Sequence, residues 1–270
     1  GKQTPSLNQL KVLLQRLGLP DERYYAIVSK NEMLISDLQT EIVSSNVFRD
    51  PQRGLPKIEE LEKIADPDDR PIRQFILRSK VLLGKIENGQ IVPYTNDEKL
   101  DMLFEAIRLT SPNFDINAIC DGLYSVDEVK VINQIALIYS QLEQREKVID
   151  IYRQLLAYIE NHFQNTGQFG SLFSLVAFNY VRELDLVGRY TEAIEIAEIG
   201  WKACVQHKQY RMLPSIIAAI AECYHFLGED DKSKDYYLQA LYLCKAINDE
   251  ECLSTVLYEI KEYFGDDFSF

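Results

Sequence analysis

No apolar run in this chain of 270 residues approaches the roughly 20 residues that cross a bilayer, and no signal peptide opens it. No Cys-x-x-Cys pair occurs. The five cysteines are Cys120, Cys204, Cys223, Cys244 and Cys252. Most sit in apolar helical context and read as buried free thiols of a reducing compartment, not as a disulfide framework or a zinc site. The three histidines, His162, His207 and His225, lie on separate elements, and none has a partner at metal-ligand spacing. Gly-Lys occurs only at Gly1-Lys2 and Gly84-Lys85, outside any phosphate-cradling motif. No serine or cysteine sits in a nucleophile motif. Low-complexity sequence is absent, and so is sustained strand alternation between hairpin turns. Positive charge is short too: 29 Lys and Arg face 42 Asp and Glu, for a net charge of -13. Such a surface repels phosphate, so this chain alone is a poor nucleic-acid binder. These absences leave a cytoplasmic protein that is not an enzyme and uses no cofactor or metal.

What is present is helix. The chain is 46% hydrophobic and 26% charged, an ordinary globular balance. Ser29-Lys30-Asn31-Glu32, Thr95-Asn96-Asp97-Glu98 and Ser125-Val126-Asp127-Glu128 are capping boxes, in which each side chain satisfies the other's exposed backbone N–H. Asp21, after Pro20, caps a first turn at Glu22-Arg23-Tyr24-Tyr25. Met33, Leu34, Leu38, Ile42 and Val43 follow helical spacing, and Leu55, Ile58, Leu61 and Ile64 mark a shorter partner helix. A helix from about Pro71 to Leu83 stops at Gly84, and a loop follows through Asn88-Gly89 and Pro93. Later helices are predicted over 125–142, 145–163, 172–187, 190–205, 211–227, 230–247 and 250–264, with a short turn at 116–123.

Three hairpins of the second half are variants of one unit. Ala136-Leu137-Ile138-Tyr139 leads to Val148-Ile149-Asp150-Ile151-Tyr152. Ala221-Glu222-Cys223-Tyr224 leads to Tyr236-Tyr237-Leu238-Gln239-Ala240. Between them lies Gly188-Arg189-Tyr190-Thr191-Glu192-Ala193, and Gly188 and Gly228 are 40 residues apart. The small residue lets two helices approach, the tyrosine one turn on fills the gap, and the glycine takes the left-handed conformation that ends the first helix. Leu227-Gly228 with Ala240, and Gly188-Arg189-Tyr190 with Ala193, resemble the tetratricopeptide repeat. The match is degraded at Glu143, where glycine is expected, and at Leu100, and the period exceeds the usual ~34 residues. The expected fold is therefore all-α: a right-handed superhelical stack of about five tetratricopeptide-like hairpins, with 250–264 as a capping helix.

The first twenty residues carry a second resemblance. Thr4 caps a helix with Pro5 at its first position, Leu7, Leu10, Leu14 and Leu17 line one face, and Gly18 closes it. Gly1, Lys2, Pro5, Ser6, Leu7, Leu10, Leu17, Gly18 and Leu19 resemble the end of a lambda-repressor-like, XRE-type helix-turn-helix domain. That order, a helix-turn-helix and then a tetratricopeptide-like array, is similar to the RNPP peptide-pheromone receptors and related regulators of Gram-positive bacteria. Leu17 to Tyr25, with Asn31-Glu32 soon after, resembles the junction in a large Firmicutes group of them. The resemblance implies that residues 1–20 are the remnant of a DNA-binding head or a linker helix, and that 21–270 are a ligand-sensing domain.

That resemblance further implies a short peptide ligand, DNA contact only through the missing head, and a homodimer, with Leu253, Val256, Leu257, Ile260 and Phe264 as one candidate surface. Tetratricopeptide repeats line their concave groove with the first helix of each hairpin. Transferring that frame turns Gln74, Arg78, Asn133, Gln134, Asn179, Arg182 and Glu222 inward. Asparagine offers a donor and an acceptor to an extended backbone, and arginine takes a carboxylate. Two other readings compete: an adaptor that docks proteins without a DNA-binding head, and an isoprenoid-synthase-like site at Asp66, Asp68 and Asp69. Pro67 and Pro71 put those aspartates in a turn, where capping and solvation explain them. Tyrosine is plentiful at 16, and Tyr139, Tyr152, Tyr224 and Tyr237 read as packing, with Trp201 half-buried.

Overall fold

The computed structural model describes residues 6–18, 30–164, 166–265 and 268. Among them are twelve α-helices: α1 (Leu7–Arg16), α2 (Lys30–Val47), α3 (Pro51–Ile64), α4 (Arg70–Leu83), α5 (Asn96–Thr110), α6 (Val126–Gln141), α7 (Arg145–Phe163), α8 (Phe169–Leu186), α9 (Tyr190–Gln206), α10 (Leu213–Phe226), α11 (Asp230–Ile247) and α12 (Glu250–Phe264). The all-α expectation holds. In the first unit α2 pairs with α3 and α4 with α5, and in the second α8 pairs with α9 and α10 with α11, before α12.

Helix starts follow the capping chemistry. Thr95 with Glu98 and Ser125 with Glu128 form reciprocal boxes at α5 and α6. At α1 the cap is Ser6, boxed with Gln9, so the helix begins at Leu7, two positions after the proline expected to start it. Thr4, Pro5, the turn at 21–25, the boundary at 20/21 and the Ser29 half of the first box lie outside the described residues. The loop expected around Asn88-Gly89 is a hairpin instead: β1 (Lys85–Glu87) pairs antiparallel with β2 (Gln90–Val92). Asn88 and Gly89 both have positive φ, as a tight two-residue turn requires. The 116–123 turn is reduced to a 3-10 turn at Ile119–Asp121, and Cys120 on it is exposed. The other thiols are buried or partly buried and free.

The chain divides into two compact units, residues 1–144 and 145–270. In the first unit, Ile35, Leu38 and Ile42 of α2 meet Leu55, Ile58 and Leu61 of α3 and Ile72, Phe75 and Ile76 of α4 in one core. α6 is buried on nearly every side, from Val129 through Asn133 to Tyr139. α1 crosses the N-terminal ends of three helices. Ser6 Oγ donates to Asp69 (2.6 Å), and the Leu7 N–H donates to Glu32 (3.3 Å). The Val126 N–H donates to Gln15 (3.0 Å), and Arg16 pairs with Glu128. The aspartate turn at 66–69 is a cap: the Asp69 carboxylate accepts from the Ile72 N–H.

In the second unit α8 packs on α7 and α9, and α10 on α9, α11 and α12. A Cβ on Gly200 of α9 would lie 3.1 Å from that of Ala177 on α8, so glycine sets how closely these helices approach. Tyr152 and Tyr237 are fully buried, as packing residues should be. Trp201 is half-buried and meets Tyr236 edge-on at 6.2 Å. Val256, Ile260 and Phe264 turn inward on α12, while Leu257 and Tyr258 stay exposed. Among the described residues no helix is long and apolar enough to cross a membrane.

Candidate functional site

Burying an amide or a charge without a partner costs about 1–3 kcal/mol or more. The polar groups inside these helices therefore mark either internal braces or ligand contacts. In the first unit Gln74, Arg78, Asn133 and Gln134 are all buried, on α4 and α6. Gln74 is a brace: its amide nitrogen donates to the Ala106 carbonyl (2.9 Å) and to Thr110 Oγ1 (2.6 Å) on α5. Arg78 reaches Asp127, but only at 3.5 Å, and its Nε has no partner among the described residues. Gln134 Oε1 is also buried and, among the described residues, unpaired.

Lys130 and Asp127 belong to this cluster and were not among the expected site residues; Asp127 was read only as part of the capping box that opens α6. Helical spacing was the signal, because Lys130 lies one turn before Gln134 on the same face. Burial pushes the Asp127 carboxyl up, but Lys130, Arg78 and Lys11 together hold it below its usual range. Burial lowers Lys130 as well, against Asp127 and with help from Arg78 and Lys11. Desolvation lowers Arg78, and Asp127 offsets it only in part.

In the second unit Arg182 of α8 and Glu222 of α10 come together as an ion pair, and Arg182 also reaches Asp185 at 3.6 Å. Asn179 is half-buried on the same helix. Tyr263 Oη donates to Glu222 (2.8 Å), and Tyr237 Oη to Glu259 (3.2 Å). Two carboxyls thus share one guanidinium, and Glu259 acts on it through space. Burial, then Glu222, pushes Asp185 up to about 6 against the pull of Arg182, and the same two causes push Glu259 up to about 7. Arg182 moves up: Glu222 and Asp185 outweigh its desolvation. A cavity of about 370 Å³ opens beside them, walled by Phe178, Arg182, Arg211, Glu222, Cys252 and Glu259. Among the described residues no group of His, Cys, Asp and Glu is arranged to hold a metal ion.

The fold is shared with solved structures of low sequence identity. PlcR of Bacillus thuringiensis, crystallised with the peptide PapR7 and DNA, is 15% identical with a TM-score of 0.67, over 94% of this chain and 85% of that one. Aspartyl phosphate phosphatase F of Bacillus subtilis is 13% identical with a TM-score of 0.63, over 88% of this chain and 57% of that one. A kinesin light chain with nearly identical tetratricopeptide-like repeats from Podosopora anserina is 11% identical with a TM-score of 0.52, over 83% of this chain and all of that one. No curated protein sequence matches the chain. The model of the RNPP family C-terminal domain matches residues 57–265, which is most of the chain. The protein therefore belongs to the RNPP family, whose C-terminal domain forms most of this chain.

Proposed function

We propose that this chain is the regulatory domain of a bacterial transcription regulator and that it senses a short peptide along the first helices of its hairpins. In the first unit those are α4 and α6, and in the second α8 and α10. One observation carries the reading: buried polar side chains interrupt these otherwise apolar helices, and Arg78 Nε on α4 and Gln134 Oε1 on α6 have no hydrogen-bond partner among the described residues. An extended peptide brings unpaired N–H and C=O groups that such side chains can satisfy. Membership of the RNPP family supports it, as does a shared fold with a protein crystallised with a peptide and DNA. Contact with DNA is assigned to a helix-turn-helix head, whose last helix α1 resembles.

Affinity selection of a synthetic peptide library on the immobilised chain, followed by calorimetry on the best peptide, tests this. Asn133→Ala and Asn179→Ala should each weaken binding by about 1–3 kcal/mol if they hold peptide groups. The helical circular dichroism should not change. Unchanged affinity in the double variant places the peptide elsewhere, and no retained peptide rejects peptide sensing.

A further inference from the structure

The Arg78 guanidinium is an unusual group to leave under-paired. Arg78 is 8% exposed, and among the described residues its Nε has no partner and its one carboxylate neighbour stands at 3.5 Å. Buried arginines normally spread their five donors over carboxylates and carbonyls, because a desolvated guanidinium with spare N–H groups is costly. Asp127 is no dedicated partner, since Lys130 Nζ also lies 3.5 Å from the same oxygen. Lys11, on α1, acts on both Asp127 and Lys130 through space. Arg78 and Lys130 therefore share one carboxylate, and Lys11 adds a third positive charge through space, in a chain whose net charge is -13. The other acidic neighbour on this end of α6, Glu128, is engaged elsewhere: it accepts from Thr110 (2.6 Å), Ser111 (2.7 Å) and the Ser125 N–H (2.7 Å), and pairs with Arg16. The Asp127 and Lys130 side chains keep 35% and 36% of their surface open, so the buried head group of Arg78 ends at groups that solvent reaches. On its other side Lys11 lines a cavity of about 440 Å³ between α1, α2 and α4, together with Glu32, Asp37 and Asp69.

We propose that Arg78, Lys130 and Lys11 form a receptor for a carboxylate of the ligand, supplied by the C-terminus of a peptide or by an acidic side chain. The carboxylate completes the charge balance that Asp127 leaves unfinished, and its two oxygens suit the spare donors of the guanidinium. The identification of the ligand as a peptide rests on the function proposed above; the carboxylate site itself does not. The lowered basicity of Lys130, which burial and its two cationic neighbours produce, agrees with a position awaiting an anion.

Two measurements separate these layers. In the first, the chain is acylated with limiting acetic anhydride in the presence or absence of glutarate, and each lysine is followed by mass spectrometry. Saturating glutarate should slow acylation of Lys130 and Lys11 by about tenfold, as expected for a ligand well above its dissociation constant. Lys57 on α3 should be unaffected. Arg78→Gln should abolish the protection of Lys130, and Lys130→Met, at a partly exposed position, should abolish that of Lys11. Equal rates with and without glutarate in the folded wild-type chain overturn the proposal. In the second, the peptide library is offered as free acids, as C-terminal amides, and as amides without Asp or Glu. Loss of retention only in the last set assigns the carboxylate to a side chain, and loss in both amide sets assigns it to the C-terminus. Retention indifferent to all three overturns the carboxylate site and leaves peptide sensing standing. Protection by glutarate with no peptide retained does the reverse.

Discussion

Glu143 holds a left-handed backbone conformation, with φ 59°, at the end of α6. Gly188 and Gly228 hold the equivalent places after α8 and α10, with φ 75° and 76°. In all three, the next residue donates back five positions, as Gln144 does to the Tyr139 carbonyl (3.0 Å) and Arg189 to Leu184 (2.9 Å). The turn is thus conserved in geometry where the glycine is replaced, and a side chain there is strained. Glu143→Gly should raise stability by about 1 kcal/mol, the left-handed penalty less the added freedom of the unfolded chain. A denaturant midpoint that falls or stays put refutes this. The carboxyls of the second unit give a pH dependence. Asp185 and Glu259 keep their protons in the folded protein up to about 6 and 7, where the unfolded chain has already lost them. The folded state therefore binds more protons between about pH 4 and 7, and stability falls as pH rises through that window. The loss from Glu259 between pH 5 and 7 is about 2 kcal/mol. Glu259→Gln, which keeps an acceptor for Tyr237, should flatten the profile and raise stability at pH 8. Trp201 fluorescence during urea unfolding reports it, and an unchanged slope from pH 5 to 7 counts against the assignment.

At the scale of elements, α1 is held by contacts at both of its ends. Leu13 and Leu17 are exposed, and its grip comes from Ser6, Gln15 and Arg16 on the starts of α4 and α6. Glu128 is fully buried, so removing Arg16 leaves an uncompensated charge, which is costlier than losing a surface pair. Arg16→Ala should therefore speed hydrogen exchange of the α1 amides by about tenfold or more, the factor that 1.4 kcal/mol of lost protection produces. The amides of α8 to α11 should keep their protection. Equal protection of α1 in both proteins means that apolar contacts hold it. The elements also show what sequence reading missed. The Asn88-Gly89 pair, flanked by Ile86 and Ile91, is a strong hairpin signal, but strands of three residues are too short for alternation to stand out.

For the whole molecule, a repeat of two helices appears as a repeat of turns. Gly188, Lys208, Gly228 and Asn248 all have positive φ, and each lies 20 residues after the last. This is the 40-residue period of the hairpin divided into its two helices. The regulator reading carries expectations at this scale. Light scattering should give twice 31.2 kDa at high concentration, and a monomer mass there rejects the dimer. The chain alone should show no sequence-specific shift of promoter DNA, because a surface of charge -13 repels phosphate. A tight, specific shift by this chain without an upstream head contradicts that expectation.

Sequence alone determined the helix starts that carry a capping box, because capping is local, while α8 and α10, which have no side-chain cap, begin two or three residues from where periodicity put them. Thr95 and Ser125 find their partners three residues away, whatever else the chain does. It also determined the repeat and the family resemblance, since small residues and turn glycines recur at fixed spacing. Which polar groups are braces and which are left open was decided only by tertiary structure. Gln74 and Arg78 sit one turn apart on the same helix and read alike, yet Gln74 meets a carbonyl and a hydroxyl of α5 while Arg78 faces a shared aspartate. The difference lies in what residues 30 to 50 positions away bring to each side chain. That is set by the packing of α4 against α5 and by the start of α6, and no local pattern carries it.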